Sequence, residues 1–300
     1  LSALSLSSCT QKKVATSVAY MDFPQTIELK ARVQPLDTAL FRYPFRVRVQ
    51  GDKAVVMDLH GTDYFCHVFH YPGFRYFASF GKRGEAPEEM LSAENIRWHG
   101  QSLWGLDAGK SVLTKYDFTS SGCSIVPQKV INMDADMLRV LDFVMVDDFT
   151  FIVPDGSGSS RFCWVNYQGK LLRRTGQIPS ANAEALQNAR PALAQAWRSF
   201  IDYNPRNGVL AAVTQLGEVL EVFNLKDSTH VVRIGPHGEP EFKISQGYGI
   251  LRVSWDLAMS KWQTVLSMRF FMGALLRKLR KMYSKVSICR MEDGISMFLV

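Results

Sequence analysis

The sequence predicts an all-β fold that is built from repeated four-stranded antiparallel units. Three observations lead to this prediction: short runs in which apolar and polar residues alternate, tight glycine-rich turns between those runs, and recurrence of the whole pattern along the chain. Antiparallel strands need only a two-residue link, so neighbouring runs pair as hairpins. One four-stranded sheet exposes two faces and two edges, and it must therefore stack on further sheets.

The unit at residues 140–178 shows the pattern most clearly. Its apolar runs are separated by a loop of Pro, Asp, Gly and Ser at 154–159 and by the two-residue turn Gln168-Gly169. Glycine in such a turn provides the positive φ that a tight hairpin needs. The predicted strands of this unit are 141–145, 149–153, 161–167 and 170–174.

Three further units have the same design, and their spacing predicts the architecture. Their strands are 45–49, 54–59, 64–70 and 74–80 in the first unit, 96–98, 102–107, 111–118 and 129–133 in the second, and 198–203, 209–213, 218–225 and 229–234 in the fourth. The third strands end at Tyr71, Tyr116, Tyr167 and Leu225, at spacings of 45, 51 and 58 residues. Such spacings are typical of β-propeller blades rather than solenoid coils. The longest contains an insertion, which predicts one short helix within 181–198 with Pro191 in its first turn.

The N-terminal residues predict a lipid anchor. Residues 1–8 resemble the end of a signal peptide, and Leu6-Ser7-Ser8-Cys9 resembles a bacterial lipobox, which implies cleavage before Cys9 and lipidation of its sulfur. The alternative is an ordinary small-residue leader with an incidental cysteine. Lipidation would hold the protein on a membrane without a spanning helix, and no apolar run of about 18 residues follows Cys9. Residues 9–40 are then the lipidated cysteine, a tether and a lead-in, and blades occupy 41–250.

The links between units carry a family resemblance. Gly81-x-x-Gly84-x-x-Pro87-Glu88 and Gly235-x-x-Gly238-x-Pro240-Glu241 follow the first and fourth units, and Asn166-Tyr167-Gln168-Gly169-Lys170 forms a turn in the third. With the lipobox, these motifs resemble the TolB-like (NHL-like) six-bladed β-propeller lipoproteins of bacteria. The resemblance covers about residues 40–250 and implies the fold and a cell-envelope location, either periplasmic or at the outer membrane. The third link, Gly176-Gln177-Ile178-Pro179, departs from the pattern because it lacks the second glycine.

Residues 251–300 do not continue the blades, so about four blades are legible and the propeller is predicted to be incomplete. This tail is rich in Met, Leu, Lys and Arg. One interpretation is a basic amphipathic helix near 270–283 that binds a membrane surface or a partner. The other, which we favour, is that the tail is translated out of frame from about 250–255, because an alternative reading frame permits Tyr-Ala-Val-Phe-His-Gly at 268–273.

The charge distribution argues against nucleic-acid binding. The chain carries a formal net charge of +7, but residues 251–300 hold nine Lys and Arg against three Asp and Glu. The first 250 residues hold 26 against 25 and are nearly neutral, whereas a phosphate-binding surface needs clustered cations. The five cysteines show neither a CxxC pair nor a regular spacing, so a disulfide framework or a zinc site is not expected.

Motifs that carry chemistry in other proteins have simpler explanations in this chain. The stretch 105–111 has too few residues between its glycines for a phosphate loop and joins two strands, so it predicts a hairpin turn. The stretch 155–159 lacks the carboxylates of a calcium loop. His67 and His70 fall on opposite faces of a strand, and Glu88 and Glu89 with Arg83 are expected to hold a blade crossing. We therefore predict no catalytic residues, no metal ligands and no cofactor.

The sequence predicts a binding or scaffold module with an unspecified ligand. Propellers bind at the mouth of the central channel through the loops between blades, so we expect a protein or glycan partner there, besides the membrane that the lipid anchor contacts. The alternative is a propeller enzyme, a lyase or hydrolase with its site at the channel mouth. The six histidines do not recur at equivalent blade positions, which disfavours the enzyme.

Overall fold

The computed structural model describes residues 17–19, 41–118, 125–241, 243–245 and 248–250, and it consists mainly of four four-stranded antiparallel sheets, here called blades one to four. Blade one contains β2 (Pro44–Gln50), β3 (Lys53–Asp58), β4 (Tyr64–His70) and β5 (Arg75–Lys82). Blade two contains β6 (Ala93–His99), β7 (Ser102–Asp107), β8 (Val112–Phe118) and β9 (Ile125–Asn132). Blade three contains β10 (Val144–Met145), β11 (Thr150–Pro154), β12 (Phe162–Asn166) and β13 (Leu171–Thr175). Blade four contains β14 (Ser199–Asn204), β15 (Val209–Thr214), β16 (Val219–Asn224) and β17 (Thr229–Ile234).

The predicted all-β architecture of consecutive blades is confirmed. Each blade pairs its strands in chain order, and residues 45–80 and 140–176 lie in separate sheets. Every described strand of the four blades overlaps the run of residues that predicted it, because the alternation and the turn residues are local signals. The first strand of blade three is much shorter than expected, only Val144–Met145, because residues 138–143 are irregular.

Neighbouring blades stack face to face through apolar side chains. Blades one and two share a cluster that includes Met57, Phe65, Ile96 and Leu103; blades two and three share Trp104, Leu106, Phe143 and Phe151; blades three and four share Ile152, Phe162, Ile201 and Leu210. Burial of one such side chain contributes about 1.5–3 kcal/mol. Each inner blade therefore uses both of its faces, which is why a sheet of this kind is stable only in a stack.

In every blade a residue at the end of the second strand, or directly after it, has a side chain that accepts backbone hydrogen bonds. Asp58 accepts from the amides of residues 42, 43 and 60, and Asp107 accepts from those of residues 91, 92, 109 and 110. Asp155, just after β11, accepts from residues 157 and 160, and Thr214 accepts from Val219. In blades one and two this capping residue ties the chain entering the first strand to the turn after the second.

The links between blades use glycine where the chain turns sharply. Gly81 and Gly84 have φ of +65° and +154°, and Gly238 has φ of +75°, conformations that residues with a Cβ atom rarely adopt. A Cβ on Gly81 would also lie 2.7 Å from the sulfur of Met90. The third link keeps one such glycine, Gly176 at φ +72°, although it lacks the second.

The insertion before blade four contains two helices rather than the one that the sequence predicted. They are α1 (Ala183–Asn188) and α2 (Arg190–Ala196), and Ala189 between them has φ −144° and ψ 40°, which interrupts the helical path. The expected position of Pro191 in a first helical turn is confirmed, in α2. Leu193 and Trp197 pack on Val219 of blade four, so the insertion belongs to the core.

Blade four carries an additional strand that the sequence did not predict. Strand β1 (Ser17–Ala19) lies within the expected tether and pairs in parallel with β17, with Ser17 opposite Val232 and Ala19 opposite Ile234. Farther along the chain, β18 (Lys243–Ser245) and β19 (Tyr248–Ile250) form a separate two-stranded hairpin. The tail at 251–300 lies outside the described residues.

We predict that Asp107→Ala lowers the free energy of unfolding by about 2–4 kcal/mol, because it removes the acceptor of several backbone N–H groups. Chemical denaturation with an unchanged slope measures this change. Asp63→Ala removes an exposed carboxylate from the turn after β3 and is the matched control, with an expected change of about 0.5 kcal/mol or less. Equal losses for the two variants would show that the cap is not what stabilises the blade.

Candidate functional site

The inner strands of the blades bring polar side chains together at the propeller axis. Arg46, Asn95 and Phe200 occupy equivalent positions in blades one, two and four, since each pairs with the residue just before the capping residue of its blade. Asp142 precedes the inner strand of blade three. We call Arg46, Asn95, Asp142 and Phe200, together with Arg97 and Asp202 on the same inner strands, the axial cluster. Such positions line the channel at which propellers bind ligands, so the cluster is the first candidate for a functional site.

Arg97 is the centre of the axial cluster. Its guanidinium donates to Asp142 at 3.2 Å and to Asp202 at 2.8 Å, and also to the carbonyl oxygen of Ile201. Arg97 and Asp142 are buried, with 8% and 4% exposure. This one side chain therefore connects the inner strands of blades two, three and four.

The ionisation of Asp142 follows from these contacts. Burial by itself would raise the pKa of Asp142, but the positive charges of Arg97 and Arg46 and the backbone amides of Ile201 and Phe143 hold that pKa below its ordinary value. Asn95 donates to the same carboxylate. The lowered pKa keeps Asp142 charged at neutral pH, where its carboxylate accepts hydrogen bonds from Arg97 of blade two and from the amide of Ile201 of blade four.

Three further contacts join inner strands around Arg97. Arg198 forms an ion pair with Glu94, which adds a second link between blades two and four. The guanidinium of Arg46 lies 5.7 Å from the ring centre of Phe200, a cation–π contact between blades one and four. Arg48 donates to the backbone carbonyl of Ile96 at 3.2 Å and joins blades one and two. Within the part of the chain that the structure describes, Asn95 Oδ1 and the Nε atoms of Arg97 and Arg198 are nevertheless buried without a hydrogen-bond partner.

The end of the axis away from the inter-blade links is more exposed. His99, at the end of β6, lies 2.9 Å from the carboxylate of Asp148, whose side chain is 80% exposed. The next residue, Phe149, is 72% exposed at the tip of a turn that Asp147 closes by accepting from the Phe149 amide. A histidine–carboxylate contact can shuttle a proton, but an exposed pair of this kind is also common on protein surfaces.

A second buried ion pair joins blades three and four away from the axis. Arg161 contacts Glu221 at 2.6 Å and donates to Ser199 Oγ, and both charged side chains are almost fully buried. His230 stacks on Phe223 and lies 3.3 Å from the other oxygen of Glu221. Burial would raise the pKa of Glu221, but Arg161 and His230 lower it below its ordinary value.

Comparison with known proteins identifies the family. A family model described as TolB-like 6-blade propeller-like matches residues 22–254, most of the chain. The chain belongs to this family. The resemblance noted in the sequence is thereby confirmed, and the four described blades are part of a fold that has six blades in the TolB-like family. Comparison with curated proteins found no match.

Solved structures similar to this TolB-like chain have low sequence identity. A Bacteroides fragilis protein provisionally described as exported has a TM-score of 0.46 and 8% identity, covering 72% of this chain and 80% of that one. A duf4221 family member from Bacteroides vulgatus has a TM-score of 0.44 and 11% identity, covering 73% and 65%. A functionally unknown protein from Desulfotomaculum acetoxidans has a TM-score of 0.38 and 10% identity, covering 60% and 50%. The chain spans less than two thirds of the latter two, and no activity follows from these similarities.

The motifs that resemble chemical sites in the sequence lie in turns, strands and blade crossings of the structure. The stretch 105–111 is the β7–β8 hairpin, and 155–159 is the turn in which Asp155 caps the backbone. His67 contacts Ser79, whereas His70 packs on Phe77, so the two histidines do not meet. At the first blade crossing, Glu89 binds Lys82 and the amide of Ala86, and Arg83 donates to the carbonyl of Gly61. Glu88 is exposed.

Some of the other predictions concern residues outside the described ranges. Cys9 and its predicted lipid lie outside the described residues, as does the tail. Among the described residues, no group of three or more His, Cys, Asp or Glu side chains could hold a metal ion. None of the helices in the described ranges has the length and apolar character that crossing a membrane requires.

We predict that Asp142→Asn lowers the free energy of unfolding by about 3 kcal/mol at pH 7, because Arg97 stays buried with one of its two carboxylates removed. Folding lowers the pKa of Asp142, so its stabilisation is complete above the unfolded-state pKa of about 4 and is lost as the pH falls through the folded-state pKa. The difference in the free energy of unfolding between the unaltered protein and Asp142→Asn should therefore become smaller as the pH falls.

Asp148→Asn is the matched control for that experiment, because it breaks an exposed pair at the same axis. Its expected cost is about 0–1 kcal/mol. Denaturant titrations between neutral and acidic pH compare the three proteins. A stability difference for Asp142→Asn that stays constant over this range would contradict the ionic origin of its effect.

Proposed function

We propose that this protein is a lipid-anchored propeller of the bacterial cell envelope that acts as a binding or scaffold module. Membership of the TolB-like family and the Leu6-Ser7-Ser8-Cys9 motif support the anchor and the location. The observation that carries the binding role is the pairing of Arg97 with Asp142 and Asp202. Because these charges pair with one another at the axis, they hold the blades together, and we place the partner on the outer surface formed by the loops.

The links between blades all lie at the same end of the described blades, because each four-stranded antiparallel blade begins and ends at that end. We call the exposed part of these links the link face; it lies within residues 83–92, 133–141, 176–198 and 235–241. Neighbouring links contact each other or the adjacent blade: Ser180 donates to Glu239, and Lys110 donates to the carbonyl oxygens of Ala86 and Glu89. Loops that are held in place lose less entropy on binding. The link face is therefore the surface at which we place a protein or glycan partner.

We predict that Cys9 is the lipidated N-terminus of the mature protein. Cys9→Ser removes the sulfur that would carry the diacylglycerol, so the variant should lose labelling by a radioactive fatty acid and remain uncleaved or leave the membrane fraction. Thr10→Ser changes the adjacent residue conservatively and should behave as the unaltered protein. Full labelling and membrane retention of Cys9→Ser would exclude the anchor.

We predict that the link face binds a partner in intact cells. A photo-crosslinking amino acid at Glu88, in the first link, or at Asn188, in the inserted helices, should yield a discrete adduct, since both residues are exposed. Gln101, exposed in the β6–β7 turn at the opposite end of the axis, is the matched control and should yield none. Gel mobility and mass spectrometry measure the adducts. Adducts at Gln101 and at neither link position would contradict the proposed surface.

A further inference from the structure

The pairing of β1 with β17 ties the N-terminal part of the chain to the outer edge of blade four. The two strands are parallel, with Ser17 opposite Val232, so the N-terminal end of β1 points toward the turn at 225–228 that precedes β17. Cys9 precedes Ser17 by eight residues. A fully extended chain of that length spans about 28 Å at most. A lipid on Cys9 must therefore remain within this distance of the outer edge of blade four.

The outer edges of the blades are far from one another. Strands in a sheet are about 4.8 Å apart, so the fourth strand of each blade lies about 15 Å from its first. The first strands meet at the axis, as the contacts of Arg97 with Asp142 and Asp202 show. The fourth strands consequently diverge from the axis in different directions, and an anchor held at blade four is not held equally close to blades one and two.

The surface beside the anchored edge suits a bilayer. Lys226 and Arg206 are exposed and adjacent, since the Lys226 ammonium contacts the carbonyl oxygen of Arg206 at 3.4 Å. Asp227 is the acidic residue of the same turn, and its carboxylate accepts from the backbone and hydroxyl of Thr229. The corner thus has a net positive charge, which anionic headgroups attract by about 1 kcal/mol per cation near the surface.

We propose that the β1–β17 pairing orients the whole propeller on the membrane: the outer edge of blade four lies against the lipid headgroups, and the outer edges of blades one and two project away from them. This inference rests on the proposed lipidation of Cys9. It adds a fixed orientation, which a flexible tether from Cys9 to the first blade would not give. The short distance between anchor and edge and the basic corner at Lys226 favour the same orientation.

Energy transfer from the protein to the membrane tests the orientation. Ser228→Cys lies next to the fourth strand of blade four, and Gln128→Cys lies within the fourth strand of blade two; both residues are exposed. Each is labelled with a donor dye after Cys123 and Cys289 are changed to serine, while Cys66 and Cys163 are buried. The full-length lipidated protein is placed in phosphatidylethanolamine–phosphatidylglycerol vesicles that contain an acceptor-labelled lipid. Transfer should be at least about twofold greater from position 228 than from position 128.

Two changes to the N-terminal segment serve as controls. Val18→Pro removes a backbone donor from β1 and should release the strand. A long Gly-Ser insertion between Cys9 and Ser17 keeps the strand but lengthens the tether, so that its reach grows with the square root of its length. In both variants the difference in transfer between the two positions should shrink, while the protein stays on the vesicles.

The outcomes distinguish failure of the proposed orientation from failure of the proposed lipidation of Cys9. If the protein carries the lipid and binds the vesicles, but transfer is equal at the two positions or greater from 128, the orientation is wrong and the anchor stands. If mass spectrometry finds no lipid on Cys9 and the protein does not bind the vesicles, both fail. If the difference persists unchanged in Val18→Pro and in the long-tether variant, the β1–β17 pairing is not its cause.

Discussion

The structure depends on the burial of one positive charge at the axis. The cost of burying the charged Arg97 side chain is offset by Asp142 and Asp202, which approach it from two other blades. Removing two charges from water costs several kcal/mol per ion, and the attraction compensates for this only when the geometry is good. Any displacement of blade three or blade four relative to blade two lengthens one of these contacts. The network therefore selects one arrangement among the many that apolar faces alone would tolerate.

A second ion pair fixes the angle between blades three and four. The apolar clusters between blades are attractive but have little directional preference, so two sheets could still slide or rotate on each other. Arg161 and Glu221 join blades three and four at a point away from the axis, whereas Arg97 joins them at the axis. Two contacts at different radii fix a rotation that one contact leaves free. The apolar clusters then supply most of the stabilisation, and the ion pairs specify the geometry.

Local features of this fold could be predicted from the sequence, and contacts between distant residues could not. The Gln168-Gly169 turn and the alternation of β12 involve neighbouring residues, and both were predicted. The break at Ala189 was missed although Pro191 marks it, because a proline in the first turn indicates that a new helix begins at about that position. The pairing of Arg97 with Asp202 was missed because 105 residues separate the partners and no pattern links them. A usable signal did exist in the aspartates at positions 58, 107 and 155, which recur about once per blade at the end of the second strand and so indicate a structural cap rather than a catalytic acid.

The outer edges of the blades narrow the ways in which this protein can bind a partner. Among the described residues β5, β9 and β13 each end a sheet, and an unprotected edge strand invites pairing with another chain. Pro127 interrupts the hydrogen-bonding edge of β9, and Arg173 and Arg174 place charge along β13. The edge of blade four is occupied by β1. Two of the four outer edges therefore discourage strand addition and a third is already filled, which leaves β5 as the open edge among the described blades. Recognition through the held loops of the link face agrees better with this design than general recognition by an added strand.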